Sequence, residues 1–327
     1  MILFVAHDPG AKNHVTPLFT HALRQGNRAR FVDLAAGCRP QEVSEITAVL
    51  CDGPVSLLVT GCSENKAEWP WVKTARRLGI RTAMIVDVGV GGGMMGVHTA
   101  DFPDRFLVTG ENCAEELREL GCPSDRVNVT GSTHLEVLSM RGGLEEVRRT
   151  VKDRYGLDSG RSLVSFFLSS CDAEVGVVSH LHSLLASSCL HKWLLVIRPH
   201  PRNSRPQVAA WEQACQGLKD VRLDMERAVD TPSLLVGSVM SLAMASSIAA
   251  ESLVLGTPSA FFQIGWDYRG LDRLYRNLDF VPRLRTEEQV HRFVAMVVRG
   301  QFNGRLGNLE SHTGATARGW QVLCELA

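Results

Sequence analysis

Short apolar runs alternate with helix-patterned stretches along the whole chain, and this alternation restricts the fold more than any single motif. Ile2–Ala6, Arg30–Leu34, Val55–Thr60, Arg81–Val86, Phe106–Thr109 and Val127–Val129 read as strands. Helical pattern falls at Val15–Gln25, Glu68–Leu78, Cys113–Leu120 and Leu144–Tyr155. Strands that alternate with helices in this way belong to a parallel sheet in the α/β class.

The polar, turn-rich stretch Tyr155-Gly-Leu-Asp-Ser-Gly-Arg161 interrupts the series. A second series starts at Ser162–Leu168 and continues through Trp193–Ile197, Val221–Leu223, Ser238–Leu242 and Ser259–Gln263. Its helices are expected at Val175–Ser188, Gln207–Gln216 and Glu287–Val298, with a last one over Trp320–Leu326. The expected architecture is two Rossmann-like domains facing a central cleft. The expected halves are residues 1–156 and residues 157–327. Fold alone does not fix function, so the residues at the strand ends must carry it.

Charge and cysteine usage narrow the classes. Lys+Arg and Asp+Glu are both 35 in 327 residues, so the chain lacks the basic excess of a nucleic-acid binder. The nine cysteines form no CxxC pair and no zinc-like spacing, which reads as reduced core thiols in a cytoplasmic protein. Met1–Ala6 reads as a core strand, without the basic region or cleavage site of a signal peptide. Thr231–Ala250 holds no charge and is long enough to span a bilayer, but Pro232, Gly237 and five serines fit a buried strand–loop–helix better. Contact with a membrane surface stays open if the acceptor is a lipid, although no basic amphipathic helix requires it.

The chemistry concentrates where strands end. Trp193–Ile197 runs into Arg198-Pro-His-Pro201, where proline stops the strand and forces a turn. His200 is thereby placed at the carboxyl edge of the sheet, where open α/β folds bind ligands. Arg198 and Arg202 flank it with guanidinium groups suited to phosphate. His200 suits hydrogen bonding or protonation of a leaving phosphate. Ser246 and Ser247 open a helix and offer hydroxyls and amides to an anion. Glu251, one turn further, could accept both hydroxyls of a ribose or serve only its helix. Ser169 and Ser170 end the first strand of the second half and bring further donors.

In the first half, Ala6-His7-Asp8-Pro9-Gly10-Ala11-Lys12-Asn13-His14 follows a core strand directly. Asp8 or His14 could take a proton from an acceptor hydroxyl. The bland alternative is an Asp-Pro-Gly turn with solvated histidines. Asp87-Val-Gly-Val-Gly-Gly-Gly93 is not a P-loop, lacking the Lys-Ser/Thr ending, and reads as a flexible loop. Gly131-Ser-Thr-His134 is either a site turn or a capped helix start. Asp267-Tyr268-Arg269 lies after a late strand. No DxD-like metal clamp, Ser-His-Asp elbow or HExxH site occurs.

The two halves, the His200-Pro201 turn, Ser246-Ser247 with Glu251, and Gly256-Thr-Pro258 resemble the GT-B glycosyltransferase superfamily. More narrowly, they are similar to bacterial capsule and surface-polysaccharide transferases with His-Pro and Ser/Thr motifs. CDP-glycerol glycerophosphotransferases and the UDP-N-acetylglucosamine 2-epimerase fold are more distant relatives. In the first half, Asp8-Pro-Gly-Ala11, Asp87, the Phe102–Phe106 run and Gly131 resemble polysaccharide-biosynthesis proteins of this fold. The resemblance implies that His200, Ser246 and Ser247 hold the nucleotide phosphate and that Asp8 is the base. The acidic-acidic-Gly motif of sialyltransferases is not met, because Pro9 follows Asp8. The implied function is metal-independent glycosyl transfer from a CMP-, CDP- or UDP-sugar to a hydroxyl acceptor, with no other cofactor. An epimerase or hydrolase of nucleotide sugars, or a non-enzymatic protein with a degenerate cleft, are the alternatives.

Overall fold

The computed structural model describes residues 1–35, 42–87, 91–94, 96–158, 160–169, 176–201, 203–265, 276–302 and 312–327. They form two compact units, each built on a parallel six-stranded sheet. Unit 1 runs β1 (Ile2–Ala6), α1 (Pro9–Arg24), β2 (Ala29–Asp33), α2 (Val43–Cys51), β3 (Leu57–Thr60), α3 (Trp69–Arg77) and β4 (Arg81–Val86). It continues with α4 (Gly91–Met94), β5 (Arg105–Val108), α5 (Glu111–Glu119), β6 (Val127–Val129) and α6 (Thr133–Ser139). Its strand order is β2-β1-β3-β4-β5-β6.

Unit 2 runs α7 (Leu144–Tyr155), β7 (Ser162–Phe167), α8 (Gly176–Ala186), β8 (Trp193–Arg198), α9 (Arg205–Cys215) and β9 (Val221–Leu223). It continues with α10 (Thr231–Gly237), β10 (Met240–Ala243), α11 (Ile248–Val254), β11 (Ser259–Phe262), β12 (Arg283–Leu284) and α12 (Glu287–Val298). Its order is β12-β11-β10-β7-β8-β9, the arrangement of the dinucleotide-binding fold. A last helix, α13 (Ala315–Leu326), returns to unit 1.

Strand composition follows from burial on both faces. Ile2, Phe4 and Ala6 point into a core with Val15, Leu18 and Leu323, while Leu3 and Val5 point into another with Ile46, Leu50 and Trp71. Every residue of β1 is buried, so the run is continuously apolar rather than alternating. In unit 2, Val164, Phe166, Leu195 and Ile197 meet Leu181, Leu185 and Trp211 in the same way.

Three expectations are corrected. First, the units divide at Val137–Leu138 and not at 156/157, and α13 belongs to unit 1. Packing explains both shifts. Helix α7 is tied to unit 2, because the Tyr155 hydroxyl donates to Asp224 Oδ2 at 2.7 Å. Helix α13 buries Leu323 in the unit 1 core and seats Gly319 against Leu18 and Leu107. Second, the helix expected at Val15–Gln25 starts at Pro9. Asp8 caps it by accepting from the Ala11 amide at 2.9 Å, and Pro9 occupies its first turn, where a missing N–H costs nothing. The Asp-Pro-Gly sequence is therefore a helix start and not a free turn. Third, residues Thr231–Gly237 form α10, capped by Asp230 through the Ser233 amide at 2.6 Å. No helix of the described residues is long and apolar enough to cross a membrane.

Candidate functional site

Each sheet has one place where chain connections leave in opposite directions. In unit 1 it lies between β1 and β3, and in unit 2 between β7 and β10. Open parallel sheets bind ligands beyond the carboxyl ends of such strand pairs. Of the described residues singled out from the sequence, Asp8 follows β1 at the first edge, and Ser169, His200, Ser246 and Ser247 follow β7, β8 and β10 at or beside the second.

At the unit 2 edge, His200 follows β8 and is half-buried. Its amide donates to Asn203 Oδ1 at 2.6 Å, and the Asn203 amide returns a bond to the His200 carbonyl at 2.9 Å. The side chain of Asn203 also donates to the Ser169 carbonyl at 3.1 Å. Asn203 thus folds the Pro-His-Pro turn back and ties it to the end of β7. An Asx-type turn three residues after His200 was a readable signal that the sequence reading missed.

Ser246 and Ser247 lead into α11, both half-buried. Ser246 Oγ accepts from the Ile248 amide at 3.3 Å, and the Ser247 hydroxyl donates to Glu251 Oε1 at 3.5 Å. Glu251 itself is 8% exposed. Ser169, Ser246, Ser247 and Glu251 therefore share the carboxyl ends of the neighbouring strands β7 and β10, beside His200. Ser170, Arg202 and Asp267-Tyr268-Arg269 lie outside the described residues.

Arg198 is corrected from phosphate ligand to internal brace. It is 3% exposed and its guanidinium is consumed inside the unit. Nε and Nη2 donate to Asp224 Oδ2 at 2.9 and 2.7 Å, Nη2 to the Val229 carbonyl at 2.5 Å, and Nη1 to Thr231 Oγ1 at 3.2 Å. Burial works against the Asp224 carboxylate. Hydrogen bonds from Tyr155, the Ala228 amide and Arg198, together with the Arg198 charge, nevertheless hold it below the usual carboxylate range. The same surroundings push Tyr155 up to about 12, burial first and then its bond to Asp224. This buried triad locks the ends of β8 and β9 and the start of α10, which fixes where Pro199 and His200 emerge.

At the unit 1 edge, Asp8 is half-buried and its Oδ1 is engaged by the Ala11 amide. Its amide donates to Ser63 Oγ at 3.3 Å. Asp87, the residue after β4, comes close: a Cβ placed on Gly10 would lie 2.8 Å from Asp87 Oδ2 and 3.5 Å from Asp8 Oδ1. Two carboxylates therefore converge over Gly10. Cys62, between them and Glu68, has its thiol pushed well above the usual range, by burial first and then by Asp87, Glu68, Cys113 and Asp8. It stays protonated, so it does not act as a thiolate nucleophile.

The part of the Gly-rich stretch at Gly93 is a close-packing device. A Cβ on Gly93 would meet Cys62 Sγ at 2.8 Å and the Ser63 carbonyl at 3.0 Å, and the Gly93 carbonyl accepts from Trp69 Nε1 at 2.8 Å. Residues 88–90 lie outside the described residues.

His14 is corrected as a base. It sits inside α1, 7% exposed, and its Nδ1 has no hydrogen-bond partner among the described residues. Burial, then the nearby His134 and His312, lower its pKa to about 3, so it stays neutral at ordinary pH and accepts protons poorly. The His134 ring lies 5.7 Å from it, centre to centre, tilted by 58°. The Gly131–His134 turn is a capped helix start: Ser132 Oγ accepts from the Leu135 amide at 3.1 Å, and Thr133 Oγ1 donates to the His14 carbonyl at 2.7 Å.

No family model and no curated protein matches this chain. Solved structures do. The UDP-GlcNAc 2-epimerase from Neisseria meningitidis bound to UDP-GlcNAc is 13% identical, with a TM-score of 0.70 over 99% of both chains. The S. aureus MnaA–UDP co-structure is 10% identical, with a TM-score of 0.73 over 100% of this chain and 97% of that one. A variant of the wall teichoic acid polymerase TagF soaked with CDPG is 13% identical, with a TM-score of 0.58 over 99% and 88%. At these identities the likeness is one of fold. The shared fold is GT-B-like, the fold class that the sequence motifs suggest.

Proposed function

We propose that this chain is a nucleotide-sugar-dependent glycosyltransferase that works in the cytoplasm without a metal clamp. The observation that carries the reading is the unit 2 edge. There Ser169, His200, Ser246, Ser247 and Glu251 gather at the carboxyl ends of β7, β8 and β10, in a fold whose solved examples hold UDP, UDP-GlcNAc or CDPG. In this reading the two serines and His200 hold the donor phosphate, and Glu251 takes the ribose hydroxyls. A leaving phosphate is stabilised by donors that are already in place when charge develops. Asp8 is the proton acceptor for the acceptor hydroxyl. Arg202 and Ser170 remain proposed phosphate contacts.

A second reading is a nucleotide-sugar 2-epimerase. It is favoured by the TM-scores of 0.66–0.70 to UDP-GlcNAc 2-epimerase structures, against 0.52–0.58 to the polymerase. The two readings share the donor site and differ in whether an acceptor is needed.

The test is a thermal-shift titration with CMP, CDP, UDP, GDP and dTDP on the wild type and His200→Ala. One nucleotide is expected to stabilise the wild type, by about 2.7 kcal/mol at a hundredfold excess over Kd. The variant should keep its melting temperature and lose the shift. Flat curves for all five sink the reading. Incubating the protein with UDP-GlcNAc alone then separates the branches, since C2 inversion without an acceptor belongs to the epimerase.

A further inference from the structure

Glu68 stands at the N-cap position of α3, where an acidic side chain ordinarily serves its own helix. It makes no such bond. The side chain is fully buried and turned instead to the two strand-end loops of unit 1. Oε1 accepts from the His7 amide at 2.9 Å and from the Ser63 hydroxyl at 2.5 Å, and Oε2 accepts from the Ser63 amide at 3.1 Å. Ser63 Oγ in turn accepts from the Asp8 amide at 3.3 Å. The main chain of both His7 and Asp8 thus ends on the Glu68–Ser63 pair.

This arrangement is costly. No Lys or Arg pairs with Glu68 among the described residues, and the Asp8 and Asp87 carboxylates lie around the same Cys62 thiol. A buried carboxylate without a cation is held only by its hydrogen bonds. Local choices that oppose stability concentrate at functional positions.

We infer that Glu68 is a positioning residue for Asp8. Acting through Ser63, it fixes the Asp8 main chain so that Oδ1 caps α1 while Oδ2 is left to a ligand. The inference rests on the reading of Asp8 as proton acceptor in the proposed reaction.

The test uses the full chain with Glu68→Gln, which keeps the shape but replaces one acceptor oxygen by a donor. Amide exchange at His7, Asp8 and Ser63 is expected to quicken about tenfold, the effect of one lost hydrogen bond on local opening. In protein labelled at aspartate 13Cγ, with the signal assigned by Asp8→Asn, the Asp8 resonance is expected to move. The UDP or CDP thermal shift of unit 2 should be retained, and UDP release from UDP-GlcNAc should fall about tenfold or more. Should Glu68→Gln fail to fold, Ser63→Ala breaks the same relay at its middle. An unmoved Asp8 resonance with unchanged exchange overturns the inference. So does a uniform rise in exchange across unit 1 with a lowered melting temperature, which is the mark of a stabilising residue only. Absent UDP release in the wild type bears on the proposed function, while the exchange and resonance results still decide the role of Glu68.

Discussion

At the unit 2 edge the buried carboxylate of Asp224 is met by Nε and Nη2 of the Arg198 guanidinium and by the Tyr155 hydroxyl. At the unit 1 edge the buried carboxylate of Glu68 is met, among the described residues, by two amides and one hydroxyl. Both groups tie neighbouring strand ends together, yet their charge is balanced differently. An ion pair braces a fixed framework and leaves no net charge behind. Neutral donors leave the negative charge in place, beside Asp8 and Asp87. In the proposed reading the first edge is a preformed cradle for an anion such as a nucleotide phosphate. The second gathers carboxylates, which suits the handling of protons from hydroxyl groups and repels phosphate.

The largest effect that separates the two edges is expected from Arg198→Ala. It strands the Asp224 charge in the interior and should cost about 3–5 kcal/mol. Urea denaturation measures it. Adding Asp224→Asn to Arg198→Met should recover most of that loss. If the single variant is as stable as wild type, the brace assignment fails and Arg198 returns as a ligand candidate.

A smaller effect is expected from Gly93→Ala in unit 1. Its methyl group would press on Cys62 Sγ and the Ser63 carbonyl, costing about 1–3 kcal/mol by overpacking. The loss should be independent of salt, since close packing and not an ion pair is disturbed. A neutral result would mean that this edge is loosely packed and that the contrast with unit 2 is one of rigidity.

Acid should divide the two regions again. His14 titrates at about 3 in the folded chain against 6.5 in its ordinary state, and His312 is also lowered, by burial and then by Arg318. The unfolded chain therefore binds these protons first. Their contribution to stability is complete above pH 6.5 and is lost as pH falls toward 3, by at most about 1.4 kcal/mol per pH unit for each histidine. The lowered Asp224 contribution is present above its ordinary value of 3.8 and is lost only below it. Melting temperatures between pH 7 and 5 should fall in wild type and fall less in His14→Leu. Equal slopes would show that unit 1 does not set the acid limit.

Much of this molecule could be read in advance because burial on both faces leaves a continuous apolar run for each strand. β4, β6 and β9 begin and end where the sequence puts them. The strand-end positions of Asp8, His200 and Ser246 follow from the same pattern. What could not be read was the use of each side chain. Arg198 looks like a phosphate ligand in sequence, yet it is turned inward by an aspartate 26 residues away. His14 looks like a loop base, but Pro9 starts the helix early and carries it into the interior. Glu68 has no local signature, because its partners, His7 and Ser63, come from two other segments.

The sequence by itself determined the periodicity, and therefore the two parallel α/β sheets and the strand ends where a ligand can sit. Periodicity is local and survives in any short window. The tertiary structure decided which charges are compensated, where the chain divides into units and which histidine stays neutral. Those outcomes depend on groups distant in sequence that burial forces into contact, and a buried charge takes its energy from whichever partner the fold brings to it.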